Sequence, residues 1–331
     1  MIGLVLTGGT IGSAAENGTI NLSGRVKLAE IYNSLYPSVD FDIIRPIETL
    51  SENILTSDWE RLVNALYAID TKKYSGIVIA HGSDTLAYTS ALIAMLFADT
   101  DIPVCLIAAD YPLEDERSNG IDNLYAAISL IRSGEKGVFT VYKKRHNAEY
   151  TDIYPAARLL EADTYNDRFG CFGGEVYGIE KDGNIIKNKN YRTLTNRFGK
   201  KIKVSSFKNK ILFIRPYPSL DYSAIDTSGF KAIVHYSYHA GTACASGSET
   251  SLLYFAKANA GKDIYFGSLK NNDISVYDTT AKILESGIIP VYNISPHALY
   301  IKTLIAYNQT QYDPKKIMAA NLGDEVLPPK F

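Results

Sequence analysis

Residues 76–98 read GIVIAHGSDTLAYTSALIAMLFA. The run GIVIA is short, apolar and unbroken by polar residues, which fits a strand buried on both faces of a parallel sheet. HGSD then supplies small and polar residues for a turn, and TLAYTSALIAMLFA has the length and apolar spacing of a helix. The same couplet occurs on either side: IGLVL (2–6) precedes VKLAEIYNSLY (26–36), and PVCLIAA (103–109) precedes NGIDNLYAAISLIRSG (119–134). Strands alternating with helices in this way predict an α/β fold, with a mainly parallel sheet flanked by helices.

The chain has 331 residues, too many for one ordinary core and suited to two domains of about 100–200 residues each. The stretch KNKNYRTLTNRFGKKIKVSSFKNK (187–210) is rich in Lys and Arg, has no acidic residue and shows no sustained period. It reads as a solvated connection rather than an anion site. The expected division is an N-terminal domain over 1–190, a linker over 191–210 and a smaller α/β domain over 211–331, where the rhythm resumes with KILFIRPY, GFKAIVHYSY and TSLLYFAKANAGK.

Hydrophobic residues make up 46% and charged residues 21%, with a net charge of −2. This is an ordinary globular composition, so nucleic acid is not an expected partner. Cys105, Cys171 and Cys244 stand far apart, which indicates neither a disulfide framework nor a zinc site. No metal or cofactor is expected. No apolar run approaches the roughly 20 residues needed to cross a bilayer, and no leader precedes the first strand, so a cytoplasmic location away from membranes is expected.

In an open α/β sheet, ligands sit beyond the carboxyl ends of the strands. The first strand delivers TGGTIG there, where Gly8 and Gly9 permit a tight turn and Thr10 presents a hydroxyl. GGTIG lacks the spacing of a dinucleotide loop, and no GK[ST] follows. The alternative reading of Thr10 is a turn cap. HGSD brings Ser83 and Asp84 to a helix start; each is an ordinary cap, yet together with His81 and Gly82 they offer a hydroxyl, a carboxylate and free helix amides in one place. SEN (51–53) precedes a helix from about Asp58, and Ala109 and Asp110 close the strand PVCLIAA. These strand ends suit a compact polar ligand.

LVLTGGTIG, SEN before a Trp-bearing helix, HGSDT, and AADYP with SNGIDNL together resemble the bacterial-type asparaginase/glutaminase family, and ESGIIPVYNISPHALYIKTLIAY (285–307) is similar to its closing helix. The resemblance implies hydrolysis of a side-chain amide through a threonine acyl-enzyme, with a small amide as substrate and a homodimer or homotetramer as the assembly. It implies Thr10 as nucleophile and Ser83 in place of a second site threonine. Asp84 would hold the substrate's α-amino group, and Ser51 with Glu52 its α-carboxylate and amine. The Ala109 carbonyl would meet the leaving amide. It also places YSYHAGTA (236–243), with Tyr238, His239 and Thr242, facing the site.

Two departures stand out. The family's lid tyrosine is missing from SAAENGTINLSG (13–24), where Thr19 aligns with it. The family's lysine falls on Ala156, with no lysine between Lys144 and Lys181. Arg158, two residues on, is expected to point into the cleft and meet an anionic group, although arginine cannot act as a base. The second reading is a degenerate member that binds without hydrolysing. A third, an amidotransferase subunit feeding ammonia to a charged transfer RNA, is disfavoured because the chain begins directly on the first strand.

Overall fold

The computed structural model describes residues 1–9, 11, 14–16, 19–21, 27–194, 197–270 and 275–329, with the backbone alone for 14–16 and 19–21. The chain divides into two compact units, Met1–Tyr191 and Arg192–Phe331.

The first unit contains strands β1 (Ile2–Leu6), β2 (Ala14–Glu16), β3 (Thr19–Asn21), β4 (Phe41–Ile44), β5 (Gly76–Ala80), β6 (Pro103–Ile107), β7 (Gly137–Tyr142), β8 (Thr151–Pro155), β9 (Leu159–Ala162), β10 (Phe169–Cys171), β11 (Gly178–Lys181) and β12 (Asn184–Lys187). Its helices are α1 (Lys27–Leu35), α2 (Thr56–Ala68), α3 (Leu86–Leu96) and α4 (Gly120–Arg132). Eight strands form one sheet in the order β12-β11-β8-β7-β6-β5-β1-β4. The five strands from β4 to β7 run parallel, whereas β8, β11 and β12 are joined by antiparallel pairings. The unbroken apolar runs are the parallel strands, because helices cover them on both faces. Leu4, Val78, Cys105, Phe139 and Val141 pack with Leu28 and Tyr32 of α1 and with Leu124, Ala127 and Ile128 of α4. On the other face, Thr140 meets Ser90 of α3, hydroxyl to hydroxyl, at 2.9 Å.

The next strand of this sheet after β1 is its neighbour β4 on one side, and β5, β6 and β7 then continue on the other. The strand order therefore reverses between β1 and β5, and the crevice beyond their carboxyl ends is where such sheets bind ligands. The steps β5 to β6 and β6 to β7 go the same way, yet α3 and α4 lie on opposite faces. One of these crossovers thus runs against the usual right-handed sense, a feature that nothing in the sequence signals.

The second unit holds a parallel sheet, β13-β14-β15-β16, formed by Ile211–Ile214, Ala232–Tyr236, Asp263–Leu269 and Ile289–Tyr292. Its helices are α5 (Leu252–Ala258), α6 (Asp278–Glu285), α7 (Pro296–Asn308) and α8 (Pro314–Ala319). Residues 191–210 were expected to be a solvated linker, but from 198 onward they are anchored in this unit. Ile202, Val204 and Phe207 are buried, while Phe198 N–H donates to the Asn321 carbonyl at 2.8 Å and Lys203 N–H to the Gln311 side chain at 2.9 Å. The abundance of lysine hid three apolar anchors.

Candidate functional site

The carboxyl end of β1 is stitched to its neighbours by backbone bonds. Thr7 N–H donates to the Ala80 carbonyl, Thr49 N–H to the Thr7 carbonyl, and Gly9 N–H to the Thr49 carbonyl, at 3.1–3.2 Å. Gly8 and Gly9 have φ of +102° and +76°, backbone that L side chains rarely adopt. A Cβ on Gly9 would lie 2.4 Å from the Gly82 Cα, and a Cβ on Gly82 would lie 2.4 Å from Ser51 Oγ. The turns after β1 and β5 and the 3-10 turn Ser51–Asn53 therefore meet at Gly82 with no room for a side chain.

Ser51 is buried and Asp84 is exposed. The Ser51 hydroxyl donates to Asp84 Oδ2 at 3.3 Å, and its oxygen accepts the Asp84 N–H at 3.3 Å. Thr85 Oγ1 donates to the Ser51 carbonyl at 2.9 Å. Ser83 is half-buried, and its carbonyl accepts the N–H of Leu86 as α3 begins. Glu52 is exposed in the Ser51–Asn53 turn. Ala109 is buried where β6 ends, at the same end of the sheet. Asp110 beside it accepts the N–H groups of Tyr111 and Asn119. Burial pushes the Asp110 carboxyl above its ordinary value, against those donors.

The structure thus brings Ser51, Ser83 and Asp84 together. Thr10 lies outside the described residues, as does the side chain of Thr19, whose backbone pairs with Glu16 in the β2–β3 hairpin. Tyr238, His239 and Thr242 belong to the second unit, in a turn closed by Tyr238 N–H to Thr242 O and Gly241 N–H to Tyr238 O, both 2.8 Å.

Arg158 is the residue expected to point into the cleft and meet an anionic group. β8 runs antiparallel to β7, and Pro155 pairs with Phe139, level with Cys105, Val78 and Leu4 in mid-sheet. The chain then turns through Ala156–Arg158. The Arg158 side chain is 1% exposed, with its guanidinium carbon 5.2 Å from the centre of the Tyr191 ring. The turn that carries Arg158 packs against α3, the helix that follows Ser83 and Asp84.

Two asparagines escaped the sequence reading. Asn119, at the N-cap of α4, and Asn123, four residues on, join the ends of two strands: Asn119 Nδ2 donates to the Lys143 carbonyl at 2.8 Å, and Asn123 Nδ2 to the Ala108 carbonyl at 2.9 Å. Their i,i+4 spacing in SNGIDNL was the available signal. Under the HGSD turn, His81 is fully buried. Its Nδ1 donates to the Gly82 carbonyl at 2.7 Å, and its Nε2 accepts from Thr89 Oγ1 at 3.0 Å. Burial pushes its pKa down to about 4. Folding favours the neutral ring, so its contribution to stability is complete above the ordinary value of 6.5 and is lost as the pH falls toward about 4. Among the described residues, no group of three or more His, Cys, Asp or Glu is placed to hold a metal, and no helix is long and apolar enough to cross a membrane.

The first unit is thus a doubly wound α/β sheet with paired glycine turns, a serine and an aspartate at its switch point. Residues 1–174 match the family profile described as "Asparaginase, N-terminal", and the chain belongs to the asparaginase family. Among curated proteins it is 25% identical to a glutamyl-tRNA(Gln) amidotransferase subunit from Sulfolobus acidocaldarius, over 98% of this chain and 75% of that one. The protein of the same name from Thermoplasma acidophilum is also 25% identical, over 98% and 80%. Among solved structures, the thermostable L-asparaginase from Thermococcus kodakarensis superposes with a TM-score of 0.80 at 24% identity, covering 99% of this chain and 100% of that one. L-asparaginase I from Vibrio cholerae gives 0.75 at 21%, covering 98% and 99%. These likenesses confirm the α/β fold. The curated relatives carry the name of the branch that the sequence reading disfavoured.

Proposed function

We propose that the protein is an amidohydrolase that releases ammonia from the side-chain amide of a small, asparagine-like amino acid. The observation that carries this reading is the meeting of Ser51 and Asp84 with the two glycine turns at the β1–β5 switch point. Asp84, exposed and carrying a carboxylate, takes the α-ammonium group, and Ser51 orients it. Thr10 follows the Gly8–Gly9 turn and attacks the amide carbon. The C–N bond breaks, the hydroxyl proton leaves with ammonia, and water resolves the ester. Ser83 and the Ala109 carbonyl complete the site, and Glu52 approaches the substrate from the rim. Thr19 and Thr242 keep the roles that the resemblance implies. The working form is a cytoplasmic homodimer or homotetramer without a cofactor.

The relatives favour a second reading, in which the released ammonia feeds an amidotransferase reaction on a charged transfer RNA. Ammonia release measured over a panel containing asparagine, glutamine and their α-blocked forms separates these possibilities. Turnover of the free amino acids is expected, with loss on α-amine blocking and a fall of at least about a hundredfold in Asp84→Ala. Release that depends on an added charged transfer RNA supports the second reading. Absence of release from every amide contradicts both and leaves a binding protein.

A further inference from the structure

We infer that His81 is a positioning residue for the site, fixing the turn that carries Ser83 and Asp84 through a one-directional chain of hydrogen bonds that begins at Trp59. This inference rests on the reading of the site as an amidohydrolase centre. The indole N–H of Trp59 only donates, and it reaches Thr89 Oγ1 at 2.9 Å. The Gly82 carbonyl only accepts, so His81 Nδ1, 2.7 Å away, carries the proton. With Nδ1 protonated in a neutral ring, Nε2 is an acceptor, and the Thr89 hydroxyl 3.0 Å away must donate to it. Every proton in the chain therefore has one direction. Trp59, Thr89 and His81 are 6%, 0% and 0% exposed, so water offers no substitute for a missing partner.

An ordinary core histidine needs only to be satisfied. His81 differs in what its bond holds. Its partner, the Gly82 carbonyl, belongs to the peptide that leads into Ser83, at the glycine where the β1 turn and Ser51 converge. Rotating that peptide would turn the Ser83 amide and shift Asp84 N–H relative to Ser51 Oγ. The support comes from α2 and α3, two helices on the face that Thr140 presents, so the chain couples their packing to the geometry of the turn.

Thr89→Val keeps the shape of the side chain and removes both hydrogen bonds, whereas Thr89→Ser keeps them. The expected result is a fall of about tenfold to a hundredfold in kcat for Thr89→Val with KM within about threefold, and near wild-type kcat for Thr89→Ser. Urea unfolding of both variants supplies the folded fraction. Loss of kcat only in proportion to that fraction, or equal loss in Thr89→Ser, overturns the inference. A substrate-free reading distinguishes its failure from failure of the amidohydrolase proposal: the amide 1H and 15N resonances of Ser83 and Asp84 are expected to move in Thr89→Val. Trp59 is the single tryptophan, so its emission should shift in the same variant. Unmoved Ser83 and Asp84 resonances contradict the inference, even where no amide is turned over.

Discussion

Gly9→Ala is expected to lower stability by about 2–4 kcal/mol and to remove nearly all activity. Two causes act together. The residue sits at φ +76°, which costs an L side chain about 1–2 kcal/mol. Its new Cβ would stand 2.4 Å from Gly82 Cα and 2.5 Å from Gly82 N, and backbone cannot swing aside as a flexible side chain can. Overpacking of this kind costs about 1–3 kcal/mol. The relief available is to push the β1 turn from the β5 turn, and a misplacement of about 1 Å in a catalytic site can cost a hundredfold in rate. Gly134→Ala is the control, because it shares the backbone conformation, φ +77°, but has no atom within 4 Å of the added Cβ. Urea unfolding should show the Gly134 variant losing only the backbone cost. Equal losses for the two variants would mean that the close approach of the turns has no energetic consequence.

The second large effect belongs to the other unit. Lys302 on α7 and Glu325 are 1% and 0% exposed at their side chains, with Nζ 2.9 Å from Oε1. Glu325 also accepts the N–H groups of Leu322 and Gly323, and Lys302 donates to the Ala320 carbonyl. Burial pushes the Glu325 carboxyl up, but the Lys302 ammonium and the two amides more than reverse this, leaving it below its ordinary value. Glu325→Gln keeps an acceptor for the amides and strands a buried ammonium. It should cost about 3–5 kcal/mol in the urea unfolding of the second unit. Lys302→Met combined with Glu325→Gln strands no charge and should cost clearly less than Glu325→Gln alone. The stabilisation is complete above the unfolded carboxyl value of 4.5 and disappears as the pH falls through the lower folded value. A Glu325→Gln loss under about 1 kcal/mol would show that the pair does not hold the closing segment.

The parts of the fold that are legible in the sequence are those whose burial imposes a pattern. Strands sandwiched between helices must be apolar throughout, so β1, β5 and β6 stand out, as do α3 and α4. The hairpin strands β11 and β12 alternate or are largely exposed and carry no comparable run. The antiparallel reversal at β8 carries no such mark either. Strand direction is set by pairing partners far away in sequence, and local composition does not encode it.

The site is legible in proportion to its backbone demands. GG and HG mark turns where side chains do not fit, and Ser51, Ser83 and Asp84 follow from their places at strand ends. Thr89 and Trp59 carry no such mark. On α3, where ten of eleven residues are buried, a threonine reads as filler, and its link to His81 becomes visible only when α2 and α3 are packed side by side.

The most direct test of the central claim, covalent attack by Thr10, is intact-mass and peptide-mass analysis of enzyme quenched in acid during steady-state turnover of the best amide in the panel. Covalent attack predicts an added mass equal to the substrate less ammonia, confined to the N-terminal peptide that contains Thr10, and absent in Thr10→Ala together with turnover. Turnover that persists in Thr10→Ala, or an adduct that maps to a different peptide, would contradict it.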